Sequence, residues 1–156
     1  MAIKRGVRGV ALMLVVLVVS TALGSATAMA AELSDYRWES RPLLVFAPKA
    51  SDPRLVETLN RIEATRCDFT GRDMVLGVVV AEGDSTLDGH AVKADESRRL
   101  TDQFAIGDNA FSVVLIGKDG GEKFRVDEVP DLQRIYAVVD GMPMRSREMG
   151  ADPGSC

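Results

Sequence analysis

Two cysteines, Cys67 and Cys156, are the residues of this 156-residue sequence with the clearest capacity for redox chemistry. In an exported protein two cysteines allow a single disulfide bridge, and here 88 residues lie between them. The loop-entropy model assigns such a bridge about 4 to 5 kcal/mol of stabilisation, from which strain in the native state subtracts. The alternative is a buried thiol at Cys67 and an unpaired last residue at Cys156, and the sequence favours neither interpretation.

The other side chains that could act as metal ligands or nucleophiles are not arranged in a recognisable catalytic or metal-binding motif. His90 shares a polar loop with Asp84 and Asp88, but this spacing is too sparse for a calcium loop and offers too few ligands for another metal. Ser51 precedes a helix, where serine is far more often a cap than a nucleophile. We therefore predict no catalytic residue, no metal site and no cofactor.

The first 30 residues have the pattern of a cleavable export signal. A basic leader precedes the apolar run 10–23, and an Ala-x-Ala pattern at 28–30 precedes Ala31. The run of 14 residues falls short of the roughly 20 that span a bilayer, so we expect cleavage and no stable membrane anchor. Removing residues 1–30 takes away three bases and no acids, which leaves 16 bases, 23 acids and a net charge of −7. Such a charge argues against nucleic acid as a partner.

The elements that would position these side chains follow from hydrophobic patterning. The apolar run 43–47 predicts a buried strand, and Asp52 and Pro53 predict the start of an amphipathic helix that continues to about Cys67. The apolar stretch 74–81 predicts a second strand, parallel to the first. These elements form a βαβ unit.

The second half of the chain is organised around a β-hairpin at 111–126. An unbroken apolar half is followed by Asp119-Gly120-Gly121 and then by an alternating half, which is typical of a central strand paired with an edge strand. Before it, the polar loop 82–94 leads to a short helix that Asp95 is expected to cap. After it, the pattern of residues 130–142 predicts a last helix. In the N-terminal arm, the aromatic residues Tyr36 and Trp38 are expected to attach the arm to the domain by burying their rings.

The predicted order β-α-β-α-β-β-α is that of the thioredoxin fold. It implies an α/β domain with a four-stranded mixed sheet in the strand order 2-1-3-4. We assign 1–30 to the signal peptide, 31–149 to this domain and 150–156 to a flexible tail.

Several sequence blocks also resemble a named family. The blocks 35–38 with 41–47, Leu115 to Gly121, and Met142-Pro143-Met144-Arg145 with Glu148-Met149 are similar to the bacterial family DUF4174. That family is similar to a domain of animal sushi-repeat-containing extracellular proteins and has been regarded as distantly related to peroxiredoxins. The resemblance implies no established activity.

The chain departs from such redox relatives where their chemistry is expected. Thioredoxins and peroxiredoxins place a nucleophilic cysteine between the first strand and first helix, where the helix N-terminus lowers the thiol pKa. Here residues 47–53 contain no cysteine, and Cys67 is expected at the opposite end of the sheet. The blocks that carry the resemblance should converge at that same opposite end, in a cluster that we call the motif cluster: Trp38, Arg41, Lys118, Asp119 and Arg145.

Two functions remain open from the sequence. The first is an exported, periplasmic or secreted, non-catalytic module that binds an unidentified periplasmic or envelope protein. The second is a thiol oxidoreductase or peroxide-responsive protein that uses Cys67 and Cys156. For the motif cluster we favour a structural clasp over a ligand site, with Asp119 paired with a neighbouring base and Trp38 covering a helix end.

Overall fold

A six-stranded mixed β-sheet forms the centre of residues 30–151, the part of the chain that the computed structural model describes. Its strands are β1 Arg41–Lys49, β2 Met74–Glu82, β3 Ser85–Leu87, β4 His90–Val92, β5 Ser112–Ile116 and β6 Glu122–Val126. They lie side by side in the order β4-β3-β2-β1-β5-β6. β1 pairs with β2 in parallel, and the other neighbouring pairs are antiparallel.

Helices cover both faces of this sheet. They are α1 Pro53–Ala64, α2 Arg66–Thr70, α3 Ala94–Gln103, α4 Leu132–Asp140 and α5 Pro143–Ala151, and a short 3-10 helix precedes them at Leu33–Tyr36. Between residues 30 and 151, no helix has the length and apolar character needed to cross a membrane. Residues 1–29 of the predicted signal peptide and residues 152–156 lie outside the described residues.

The core has two layers because side chains of β1 and β5 alternate between the two sheet faces. Leu43 and Val45 of β1 pack with α1 and α4 on one face, whereas Leu44 and Phe46 pack with α3 on the other. All five residues of β5 are buried, as expected for a strand with no polar face. The central position of β1 therefore follows directly from the apolar run in the sequence.

The prediction of a four-stranded sheet in the order 2-1-3-4 is wrong, because the sheet has six strands. The segment 82–94, predicted to be a polar loop, folds back as β3 and β4 and extends the sheet beyond β2. Each added strand has only three residues, too few for an alternating pattern to be recognised. Leu87 is buried and provides the apolar contact that anchors this extension.

Helix boundaries differ from the predictions in three places. α1 ends at Ala64, and a separate short helix, α2, carries Cys67. α3 begins at Ala94 with Lys93 at its N-cap, so Asp95 lies in the first turn and is not the cap. α5 was not predicted, although Pro143 is a typical first residue for a helix.

The hairpin between β5 and β6 closes as its glycines predicted. The Gly117 N–H donates to the Gly121 carbonyl at 2.8 Å, and the Gly120 N–H donates to the Gly117 carbonyl at 2.9 Å. Gly120 has a φ of 85°, a conformation that side chains disfavour. This turn places Lys118 and Asp119 beside the start of β1.

Candidate functional site

A buried arginine lies at the centre of the motif cluster. Arg41, the first residue of β1, has 0% of its surface exposed. Its guanidinium donates through Nη1 to the Arg72 carbonyl oxygen at 2.9 Å and to Glu148 Oε2 at 2.9 Å, and through Nη2 to Glu148 Oε1 at 3.1 Å. This is a bidentate arginine–carboxylate pair, which is stronger than a single neutral hydrogen bond.

Lys118 connects the hairpin turn to the same carboxylate. Its Nζ lies 2.8 Å from Glu148 Oε1 and 2.8 Å from Asp73 Oδ2, and only 10% of its side chain is exposed. Arg145 joins at longer range, 3.8 Å from Glu148 and 3.5 Å from Asp140. Three cations, from β1, the hairpin turn and α5 itself, therefore converge on Glu148.

Asp119 and Trp38 lie nearby without joining this ion-pair network. Asp119 pairs with Lys123 at 2.6 Å and accepts from the Gly121 N–H at 3.0 Å, so it fixes its own turn. The Trp38 backbone N–H donates to the Lys118 carbonyl oxygen at 2.6 Å, but the residue is 60% exposed. The expectation that Trp38 pins the arm by burial is wrong. Tyr36 packs in the α3 layer instead.

Trp38 is exposed in an unusual backbone conformation. Its φ is 70°, which is uncommon for a bulky residue and costs on the order of 1 to 3 kcal/mol. The Arg37 guanidinium lies 5.4 Å from the centre of its ring, within the range of a cation–π contact. Backbone hydrogen bonding and this contact hold the indole on the surface.

Two carboxylates of this region, Glu148 and Asp119, have lowered pKa values. Burial alone would raise the pKa of Glu148, but hydrogen bonds from Arg41 and Lys118 outweigh it and lower that pKa. The hydrogen bond from Lys123 lowers the pKa of Asp119, and the Gly121 N–H contributes. These acids are therefore held in their charged form, which suits electrostatic anchoring and not general acid catalysis.

Sequence reasoning missed the acidic half of the network, Asp73, Asp140 and Glu148. One local signal existed for Glu148, because it lies three residues after Arg145 in a segment opened by Pro143, and this is a helical ion-pair spacing. The pairing of Glu148 with Arg41 spans 107 positions and has no local signal. Arg72, which pairs with Asp140 at 2.8 Å, was missed for the same reason.

The opposite end of β1 carries no thiol in this structure, as the sequence requires. Asp52 caps α1 and is 6% exposed, and its carboxylate accepts from the Arg54 N–H at 2.9 Å and from the Arg54 guanidinium at 3.0 and 2.7 Å. The hydrogen bond from the Arg54 side chain is the main reason that the pKa of Asp52 is lowered to about 2. The anion-stabilising helix start is thus occupied by a carboxylate.

The remaining candidate residues from the sequence are the two cysteines and the polar-loop residues His90, Asp84 and Asp88. Cys67 lies in α2, whose C-terminal turn leads to Arg72 and the motif cluster, and there is no free cysteine among residues 30–151. Cys156 lies outside the described residues, so the bridge between them stays a prediction. His90 begins β4 and is exposed, and the described residues contain no group of three potential metal ligands that includes it, Asp84 or Asp88.

A cavity of about 410 Å³ adjoins the motif cluster. The hairpin turn forms one wall through Lys118, Asp119 and Lys123, and residues 142–144 at the start of α5 form the other. Arg41 also lines it. The two walls carry residues of two of the sequence blocks named above, Leu115 to Gly121 and Met142 to Arg145.

Solved structures with a similar fold are peroxiredoxins. Reduced 2-Cys peroxiredoxin of Plasmodium vivax aligns with 74% of this chain and 84% of its own at a TM-score of 0.55 and 15% identity. Thioredoxin peroxidase I of Plasmodium yoelii aligns with 80% of this chain and 82% of its own at a TM-score of 0.51 and 17% identity. At such identities the likeness defines the class of fold alone, a thioredoxin-like α/β domain.

Residues 32–148 match the family described as Domain of unknown function (DUF4174), and the chain belongs to that family. A curated relative is coiled-coil domain-containing protein 80 of Danio rerio, which is 26% identical over 133 residues. The match covers 75% of this chain and 15% of that protein. The chain therefore spans a small part of the length of this relative.

Proposed function

We propose that this chain is an exported, non-catalytic thioredoxin-like module that binds a periplasmic or envelope protein through the surface around Trp38. The exposure of Trp38 carries the proposal. A large aromatic ring held on the surface by a strained backbone and a cation–π contact has little conformational entropy to lose on binding. Tryptophan and arginine are also the residues most enriched among binding hot spots.

The neighbourhood of Trp38 supports a binding role over a catalytic one. The ion pairs of Arg41 and Lys118 with Glu148 join β1, the hairpin turn and α5, and they give the exposed indole a rigid support. Rigid support lowers the cost of association. At the other end of β1, Asp52 and Arg54 occupy the helix start where a redox relative would carry its thiolate.

Binding through Trp38 is tested by capture and then by affinity. Wild-type protein, Trp38→Ala and the matched control Val56→Ala are used to capture partners from a periplasmic extract. The partner is then purified and titrated calorimetrically. Val56 is a suitable control because it is another exposed large apolar residue, 45% exposed, on α1.

We expect Trp38→Ala to weaken binding by about 10- to 30-fold, the effect of losing a hot-spot aromatic residue. Val56→Ala should leave the affinity within about twofold, as peripheral residues do. Equal affinities of the two variants for every captured protein would contradict the assignment of this surface.

A second candidate is a thiol oxidoreductase that uses Cys67 and Cys156, and the fold likeness to 2-Cys peroxiredoxins favours it. It is tested by peroxide consumption and insulin reduction with wild type and Cys67→Ser. Under the binding proposal neither protein shows turnover above the buffer rate. Turnover by the wild type that disappears in Cys67→Ser would replace the binding proposal with this one.

A further inference from the structure

We infer that the bound protein places an acidic side chain in a second cavity, between the 3-10 helix, the hairpin turn and α3. The inference rests on the proposed function, since it names the chemistry of the partner at the surface around Trp38. The cavity has a volume of about 160 Å³. Small-molecule sites begin at roughly 300 Å³, so this cavity fits one side chain of a larger partner. Its lining includes Leu33, Ser34, Arg37, Pro42, Arg99 and Gln103.

Arg37 connects this cavity to Trp38. Its guanidinium lies 5.4 Å from the centre of the Trp38 ring, and it also lines the cavity. The side chain lies along the hairpin turn, where a Cβ atom on Gly120 would stand 3.5 Å from the Arg37 Nε atom. Within residues 30–151 the Arg37 side chain has neither an ion-pair partner nor a hydrogen-bond acceptor. Its charge and its N–H donors are therefore open to a partner.

Arg99 has a different part, because its charge is already neutralised. Its Nε and Nη2 atoms each donate to the Glu96 carboxylate at 2.6 Å. Its Nη1 atom donates to Gln103 Oε1 at 3.1 Å. This bond occupies the amide oxygen of Gln103 and leaves the amide NH₂ group, which can only donate. The Ser34 hydroxyl has no partner among the described residues and can donate as well.

The free polar groups of this cavity therefore select an anionic acceptor. Arg37 and Gln103 offer donors, and no acidic residue lines the cavity. In the cavity beside α5, by contrast, Arg41, Lys118 and Lys123 each have a carboxylate partner. Two further cavities, of about 510 and 470 Å³, are lined by two and three acids. An unpaired cation in an acid-free cavity distinguishes this site from those three.

An aspartate or glutamate side chain matches the lining in both of its parts. Its carboxylate can accept from the Arg37 guanidinium in a bidentate pair and from the Gln103 amide. Its methylene groups can pack against Leu33 and Pro42, which form the apolar part of the lining. Because Arg37 also contacts Trp38, one partner can cover the indole and fill the cavity at the same time.

The first test is a titration followed by ¹⁵N chemical shifts. The probe is N-acetylglutamic acid N-methylamide, and its neutral isostere N-acetylglutamine N-methylamide is the control. The glutamate probe should shift the Gly117 and Gly120 amides and the Arg37 Nε–H, and should bind at least about tenfold more tightly than the glutamine probe. Equal affinities of the two probes would overturn the inference.

Sodium acetate separates a side chain from a free anion. Acetate carries the carboxylate without the methylene stem, so it should bind at least about threefold more weakly than the glutamate probe, the effect of one buried methylene. Acetate that binds as tightly as the glutamate probe would assign the cavity to a free small anion and would overturn the inference.

Variants connect the preference to the named residues. Gln103→Glu replaces a donor with a negative charge and does not touch Trp38, so it should remove the preference for the glutamate probe. The matched control Gln133→Glu adds the same charge at an exposed position of α4 and should keep the preference. Arg37→Gln should also remove it. Equal preference in Gln103→Glu and Gln133→Glu would overturn the inference.

The same pair of variants is then measured with the partner captured in the Trp38 experiment. Gln103→Glu should bind that partner about tenfold more weakly than Gln133→Glu does. If Trp38→Ala loses the partner but Gln103→Glu and Gln133→Glu bind it equally, the proposed function stands and this inference is overturned. If Trp38→Ala and Val56→Ala bind every captured protein equally, the proposed function is lost, and only a measured affinity of the cavity for a carboxylate remains.

Discussion

At the scale of single residues, this chain places a carboxylate where its structural relatives depend on a thiolate. Asp52 sits at the first turn of α1, directly after β1, and accepts from a backbone N–H and a guanidinium. The same helix start that lowers a thiol pKa lowers the pKa of this carboxyl. At this helix start the stabilised anion is the capping carboxylate of Asp52.

Asp52 makes stability depend on acid pH. Its pKa is about 2 in the folded protein and 3.8 in its ordinary state, so its contribution is complete above pH 3.8 and is lost as the pH falls towards 2. The contribution is about 2 kcal/mol at most, because the exposed Arg54 is screened by water. Urea unfolding from pH 2.5 to 6 should show Asp52→Asn less stable than wild type above pH 4, with the difference shrinking below it.

The control for this experiment is Asp131→Asn in α4. Asp131 also caps a helix, accepting from the Gln133 N–H at 3.0 Å, and it makes no ion pair within residues 30–151. At neutral pH Asp131→Asn should cost only a few tenths of a kcal/mol, because asparagine caps nearly as well as aspartate. A difference between wild type and Asp52→Asn that stays constant from pH 6 to 2.5 would contradict the assignment.

At the scale of elements, patterning predicted the central strands and the edge strand β6, and it missed the short strands β3 and β4 at the other edge and the acids of the ion-pair network. β1, β2 and β5 were predictable because a buried strand has no polar face. β3 and β4 could not be predicted, because a strand of three residues is too short to show an alternating pattern. The positions of Arg41, Lys118 and Arg145 in one cluster followed from strand direction, but the carboxylate that joins them, Glu148, lies on a helix that the sequence did not reveal. The exposure of Trp38 was missed because a large aromatic ring is normally expected to be buried. The positive φ that accompanies its exposure is seen only in the structure.

The attachment of α5 depends on Glu148. α5 has no buried residue among those described, and Glu148 anchors it to Arg41 and Lys118. Glu148→Gln leaves a buried arginine without its partner, which typically costs 3 to 5 kcal/mol. Since 24% of the Glu148 side chain is exposed and Asp73 lies 3.9 Å from Arg41, we expect the low end, about 3 kcal/mol, measured by urea unfolding.

Glu63→Gln is the matched control for Glu148→Gln. Glu63 also forms an ion pair with an arginine, Arg66, but both side chains are about two-thirds exposed. Its removal should cost less than about 0.5 kcal/mol. If the two variants are equally stable, the buried pair does not hold α5.

At the scale of the whole molecule, the two ends of β1 have separate roles. The nine residues of β1 separate the Asp52 end from the motif cluster by roughly 26 Å at about 3.3 Å per residue. Cys67 belongs to the end with the motif cluster, because α2 leads directly into Arg72 and Arg41. Five residues follow Ala151, and they extend at most about 17 Å. A bridge from Cys156 to Cys67 would therefore close the chain at the end that we propose for binding.

This arrangement predicts that the two cysteines form a structural bridge and not a catalytic pair. Mass spectrometry after alkylation without reductant should find no labelled thiol in protein isolated under non-reducing conditions. Reduction should lower the free energy of unfolding by about 2 to 4 kcal/mol, less than the full loop-entropy value because Glu148 already anchors α5 near that end. Cys67→Ser, Cys156→Ser and reduced wild type should then be equally stable, since each lacks the same cross-link. A labelled Cys67 in native protein, or a reduced protein as stable as the oxidised one, would rule out the structural bridge.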